Sequence, residues 1–231
     1  MTSNRTAFRN GRGFSLVELL VVVGIIALLI GILIPLVSRS RRAAMRTQCL
    51  SNLRQVTMAW VAYADAHNGN FVYADTGPGG WVNGGNLKSD IEQCQLYRYC
   101  TNATIFHCPA DGSDHYRSYS INDFFNGENF GGLTRPIKSV TEGRHPSDSF
   151  VFVEEWDPKG INLNSFVMYD SGDLWVDYPA NFHGNGCTIS FADAHAEYWQ
   201  FGDPRTAAIK AHNVTTPNNV DLTRFEKAMG H

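Results

Sequence analysis

Residues 13–37, GFSLVELLVVVGIIALLIGILIPLV, decide the fold of this 231-residue chain. From Leu16 to Val37 the only ionisable side chain is Glu18. At 1.5 Å of rise per residue the stretch is about 33 Å long as a helix, enough to cross a ~30 Å hydrocarbon core. A secretory signal peptide shares a basic start and an apolar run, but its run is about 7–15 residues and ends in a small-residue cleavage site. Here the run is longer and no such site follows, so the segment reads as a membrane-spanning helix.

Outward from this helix, charge is distributed unevenly. Met1 to Gly13 carries Arg5, Arg9 and Arg12 and no acid, and Arg39, Arg41, Arg42 and Arg46 follow the apolar run. Residues 51–231 hold 12 bases against 21 acids, within a formal net charge of -3 for the whole chain. An acidic head lacks the clustered cations that neutralise phosphates, which argues against nucleic acid as a partner. The basic collar suits anionic lipid head groups.

Glu18 is the informative exception within the apolar run, because a carboxylate in lipid is costly and persists where it has a partner or a function. In the first helical turn it faces the favourable end of the helix dipole. If the chain is cut after Gly13, the new amine of Phe14 is a cation about one turn away. Pro35 removes one helical hydrogen bond and crowds the preceding turn, a place for a kink.

Gly13-Phe14-Ser15-Leu16-Val17-Glu18-Leu19-Leu20 resembles the type III signal of type IV prepilins and type II secretion pseudopilins. The resemblance implies cleavage after Gly13, N-methylation of Phe14, and recognition and assembly through Glu18, with Pro35 where many pilins also carry proline. It implies a prepilin peptidase, other (pseudo)pilin subunits, an inner-membrane assembly platform and membrane lipid as partners. The expected fold is α+β and pilin-like: a long N-terminal membrane-spanning helix packed on a C-terminal head with an antiparallel sheet. The expected localisation is the bacterial inner membrane, single-pass, with the head in the periplasm or an extracellular filament.

The expected divisions are a leader over 1–13, the spanning helix over 14–37, an amphipathic continuation over 38–68 and a head over 69–231. The continuation rests on Cys49, Leu50, Leu53, Val56, Trp60, Tyr63 and Ala64, which recur at three- and four-residue steps. Asn68-Gly69-Asn70 is a helix stop. Asp90, with Gln93 three residues on, predicts a capped short helix through Tyr99. Strand signals fall at Phe150–Glu154, Ser165–Tyr169, Cys187–Ala192 and His195–Gln200, the last two turning at Asp193-Ala194. Asp203-Pro204 and Asp221 are expected to start two C-terminal helices.

The head is similar in several short blocks to the large pseudopilin-like proteins of planctomycete and verrucomicrobial lineages that bear a C-terminal H-x9-D-G motif. His183 and Asp193 have that spacing, and Cys49–Gln55, Cys108-Pro109-Ala110-Asp111 and Phe191–His195 resemble the other blocks. Ala194 departs from the motif's glycine, so either Ala194 takes a left-handed conformation at a cost of about 1 kcal/mol or the turn differs.

Five cysteines lack the C-x-x-C spacing of a zinc site, and three of them, Cys94, Cys100 and Cys108, crowd into fifteen residues as disulfide candidates. His183, Asp193 and His195 form a possible metal set, weighed against a turn whose histidines bond to backbone. Asp170, Asp173 and Asp177 form an acidic loop with oxygen ligands for calcium, without the spacing of an EF-hand, and beyond that no cofactor is expected. No G-x-S-x-G elbow and no phosphate loop occurs, so no enzyme is expected. The alternative to a filament subunit is a membrane-anchored module that binds polysaccharide through Trp60, Trp81, Trp156, Trp175 and Trp199.

Overall fold

A computed structural model describes residues 15–84, 87–128, 136–156, 165–169 and 172–230. The chain divides into two compact units, Met1–Arg41 and Arg42–His231. Helix α1, Leu16–Ala66, contributes its first part to one unit and its remainder to the other. It ends as the composition dictates: Asn68 and Gly69 take φ of 56° and 81°, and the Gly69 amide reaches back to the Ala64 carbonyl at 2.8 Å.

The second unit is built on a four-stranded antiparallel sheet of order β3-β4-β6-β7, comprising Tyr119–Ile121, Phe150–Glu154, Gly186–Phe191 and Ala196–Gln200. Small two-stranded ribbons flank it: β1 (Tyr73–Thr76) with β2 (Gly80–Val82), and β5 (Leu174–Trp175) with β8 (Val214–Thr215). Central strand β6 is buried along its whole length because both its faces are covered. Cys187, Ile189 and Phe191 enter a core shared with Trp175, Trp199 and Phe225 of α5 (Val220–Lys227). The alternate residues Thr188 and Ser190 face the other way, where Thr57 of α1 donates to Ser190 Oγ at 2.7 Å. On that side Cys49, Leu53, Val56 and Trp60 of α1 join Trp81, Ile121, Val151 and Phe152 in a second core. The expected α+β architecture is therefore present, with the helical stripe as its packing face.

The β6–β7 hairpin turns over Ala192-Asp193-Ala194, with the Ala194 amide on the Phe191 carbonyl at 2.8 Å and the Phe191 amide on the His195 carbonyl at 2.9 Å. Ala194 takes φ 67°, the left-handed conformation that the missing glycine would accept freely.

Four expectations are corrected. Ser165–Tyr169 forms no strand: Phe166 makes only an isolated bridge to Asn122, and the Val167 amide is taken by the Asp177 carboxylate at 2.7 Å, which removes a ladder donor. Asp90 does not cap its helix but sits at the third position of α2 (Lys88–Glu92), accepting from the Leu87 amide at 3.0 Å. The helix expected through Tyr99 breaks before α3 (Tyr97–Cys100), since Ile91, Cys94 and Leu96 are all buried and do not share one helical stripe. At the C-terminus Asp203 caps α4 (Pro204–Ala208) as expected, whereas Asn219, not Asp221, caps α5. The Asp221 carboxylate instead accepts from the amides of Gly202 and Asp203 at 2.8 and 2.9 Å, tying the two helix starts together.

Candidate functional site

In the N-terminal unit the helix start is built by Ser15 and Glu18. The Val17 amide donates to Ser15 Oγ at 3.2 Å, and the Ser15 amide donates to Glu18 Oε2 at 2.9 Å. This is a capping box, and its S-x-x-E signature was present in the sequence beside the more conspicuous oddity of a charge in an apolar run. Glu18 thus has a local structural task in addition to any assembly role. Every residue from Ser15 to Ala44 is exposed, so the apolar surface of Leu16–Val37 is uncovered. The window is long and apolar enough to cross a membrane. Pro35 lies inside the continuous helix, and Ser38 Oγ occupies the Ile34 carbonyl at 3.0 Å. Gly13 and Phe14 lie outside the described residues.

In the second unit four side chains converge: the ligand-type atoms of Cys49, Cys108, Glu154 and His183 all lie within 4.8 Å of one another, and all four residues are buried. Each comes from a different part of the fold. Cys49 sits on the inward stripe of α1, and Glu154 ends β4. Cys108 begins the Cys108-Pro109-Ala110-Asp111 turn, which closes through the Asp111 amide on the Cys108 carbonyl at 2.9 Å. His183 lies in the turn that precedes β6.

Cys49 and Cys108 form a disulfide across 59 residues. This corrects the expected bridge within Cys94, Cys100 and Cys108, since Cys94 and Cys100 are free. The reason is local geometry. Cys100 Sγ lies against the carbonyls of Leu96 and Tyr97 at 3.5 and 3.8 Å, inside its own helical turn. Burial in the α2–α3 region pushes the Cys94 thiol up to about 11.

His183 Nε2 stands 2.9 Å from Glu154 Oε1 and 3.4 Å from Cys108 Sγ. The other carboxylate oxygen of Glu154 accepts the Thr188 amide at 2.7 Å, which fixes its rotamer. Burial, and next the Glu154 carboxylate, hold the Tyr119 hydroxyl and the Cys187 thiol well above their ordinary ranges. The loop around Cys108 is equally well supported. The Cys108 amide donates to Ser118 Oγ at 3.0 Å, Ser118 donates to Asp111 at 2.6 Å, and Asn52 of α1 donates to the His107 carbonyl at 3.0 Å. The scattered blocks Cys49–Gln55 and Cys108–Asp111 are thereby two walls of one cluster.

The structure separates the metal set expected from sequence. His183 belongs to the buried cluster, whereas Asp193 and His195 pair with each other on the exposed hairpin, His195 stacking on Phe191 at 4.3 Å. Among the described residues, His183 therefore bonds to a carboxylate and not to backbone. What sequence reasoning missed is Glu154 and Cys49 as its neighbours; the available signal was an acid closing the apolar strand Phe150–Glu154. In the acidic loop, Asp177 is buried and held by the Val167 amide and by His212 at 2.9 Å, and Asp173 accepts the Asn218 amide at 2.9 Å. Asp170 lies outside the described residues, and among those described Asp173 and Asp177 join no group of three ligands. Trp60, Trp81, Trp175 and Trp199 are core residues and Trp156 is half-buried against Phe182, so the tryptophans share no open groove.

An exposed apolar N-terminal helix with a capped acidic first turn, followed by a compact α+β unit, defines a membrane-anchored chain whose anchor is amino-terminal. Residues 8–34 match the model of the prokaryotic N-terminal methylation motif, so the chain carries the prepilin-type signal of type IV pilin-like proteins. No match was found among curated proteins or among solved structures.

Proposed function

We propose that this chain is a structural (pseudo)pilin subunit. A prepilin peptidase removes Met1–Gly13, Phe14 is methylated, and the mature chain is assembled helix to helix into a type II secretion pseudopilus or a type IV pilus-like filament. The single observation that carries this reading is the methylation motif at residues 8–34. Supporting it is the exposed apolar surface of Leu16–Val37, which in water would be a large uncovered patch and which lipid or neighbouring helices would cover. In the filament the Glu18 carboxylate meets the amine of a neighbouring Phe14, a pairing that is strong where water is excluded. The anchor is a single pass in the bacterial inner membrane, and the head faces the periplasm or the filament exterior. The Cys49–Cys108 disulfide accords with an oxidising compartment. The head acts structurally and not as an enzyme, and its resemblance to pseudopilin-like proteins favours the secretion system over a surface pilus.

The test is Glu18→Leu in the native host, with sheared or cross-linked filaments as the readout. Assembly is expected to fail while the chain still fractionates with membranes; filaments in undiminished amount would refute the assembly role. Deletion of the gene, scored for both secretion and surface piliation, separates the two filament systems.

A further inference from the structure

We propose that Cys49, Cys108, Glu154 and His183 form a closed four-ligand zinc site in the reduced chain, and that the disulfide is its metal-free oxidised form. A disulfide needs no ionisable neighbours, and burying a carboxylate and an imidazole beside one is expensive. Here both are present, fully inside, and His183 Nε2 is aimed at a carboxylate oxygen and a sulfur at once, at 2.9 and 3.4 Å. With bonds of about 2.0–2.3 Å, the ligand atoms of a tetrahedral zinc lie roughly 3.3–3.8 Å apart, so the 3.4 Å pair already has that spacing and the 2.9 Å pair must open by about 0.4 Å. The two sulfurs, bonded in the oxidised form, must part to roughly 3.8 Å, and the remaining pairs, all within 4.8 Å, settle into the same range.

The donor set is two thiolates, one imidazole and one carboxylate. It suits zinc, whose structural sites are tetrahedral and use these ligand types, and not calcium or magnesium, which require oxygen ligands throughout. The outer contacts are of the kind that orient metal ligands: the Thr188 amide on Glu154 at 2.7 Å and the Ala110 amide on Cys108 Sγ at 3.4 Å. Four protein ligands in a buried site leave no open coordination position, so the role is structural. In either state the cluster fastens α1, the Cys108 turn, β4 and the turn before β6 at one point.

The interconversion balances with an external dithiol. The dithiol gives two electrons and two protons to the Cys49–Cys108 bond and becomes a disulfide, and the two thiols formed then release their protons to solvent as zinc binds. A disulfide oxidant reverses the sequence, taking two electrons from the thiolates and releasing the metal.

The full chain in detergent, reduced with a water-soluble phosphine and dialysed against chelator-buffered zinc, is expected to retain one zinc per chain, and the oxidised chain none. Cobalt substituted for zinc is expected to give a thiolate-to-cobalt charge-transfer absorption together with the strong visible bands of a tetrahedral site. His183→Gln and Glu154→Gln are each expected to weaken binding by at least roughly tenfold. X-ray absorption at the zinc edge of the wild-type chain needs no variant to fold, and is expected to show two sulfur and two nitrogen or oxygen neighbours. The proposal is overturned if the reduced wild-type chain takes up no zinc, or if zinc binds the oxidised chain equally well. A sulfur-only shell, which would place the metal on Cys94 and Cys100, overturns it as well.

Discussion

Reduction of the Cys49–Cys108 bond in the absence of metal perturbs the head at one defined point, and its cost follows from the loop that the bond closes. The two cysteines are 59 residues apart. Releasing that loop in the unfolded chain removes a constraint that chain-entropy reasoning puts at about 4 kcal/mol. For a unit the size of Arg42–His231, each kcal/mol moves the melting temperature by about 2–4 °C, so a fall of about 8–16 °C is expected. The assay is thermal unfolding of the full chain in detergent with a chelator present, with and without phosphine, followed by tryptophan fluorescence. Trp60, Trp81, Trp175 and Trp199 are buried, so unfolding changes the emission strongly. A fall of less than about 2 °C would refute the loop argument. Peptide mapping of the oxidised chain that recovered a bridge to Cys94 or Cys100 would refute the pairing itself.

Ala194→Gly relieves the left-handed strain at φ 67° while adding some unfolded-state entropy, and is expected to stabilise the head by about 0.5–1 kcal/mol in denaturant titration; a loss of stability would contradict the turn geometry. Asp123 is pushed up to about 7, chiefly by burial, against a partial lowering by its Ser165 hydrogen bond. Because the folded value lies above the unfolded one, this group's stabilising contribution is complete below about pH 4 and is lost as pH rises to about 7, a change of about 4 kcal/mol. Asp123→Asn is therefore expected to raise stability at neutral pH and to flatten that slope, and an unchanged slope would exclude Asp123 as its source. Gly186→Ala drives a methyl group into the Trp199 carbonyl and the Tyr198 ring across the β6–β7 pair, and should cost about 1–3 kcal/mol by the same titration.

Much of this architecture was legible because it rests on local pattern. The apolar length of Leu16–Val37 specifies a spanning helix, the steps from Cys49 to Ala64 specify its packing face, and the alternation around Asp193-Ala194 specifies a hairpin. The motif match at residues 8–34 concerns the same contiguous kind of signal. The buried cluster was not legible, because it is assembled from four segments whose meeting depends on α1 crossing the sheet. Crowding in sequence drew attention to Cys94 and Cys100, yet Cys100 is turned into its own helical turn while Cys108 faces a helix 59 residues upstream. His183 was singled out by its spacing from Asp193, but β6 separates the two, so that the aspartate ends on the exposed hairpin and the histidine in the interior. Ser165–Tyr169 had strand composition, but the Asp177 side chain outcompeted a neighbouring strand for the Val167 amide.

The proposed function requires that this chain be matured as a prepilin. The most direct measurement is the intact mass of the protein isolated from the membranes of its native host. Cleavage at Gly13-Phe14 predicts a chain that begins at Phe14, lacks Met1–Gly13 and carries one additional methyl group on its amino terminus. A chain that retains Met1–Gly13 would contradict the claim.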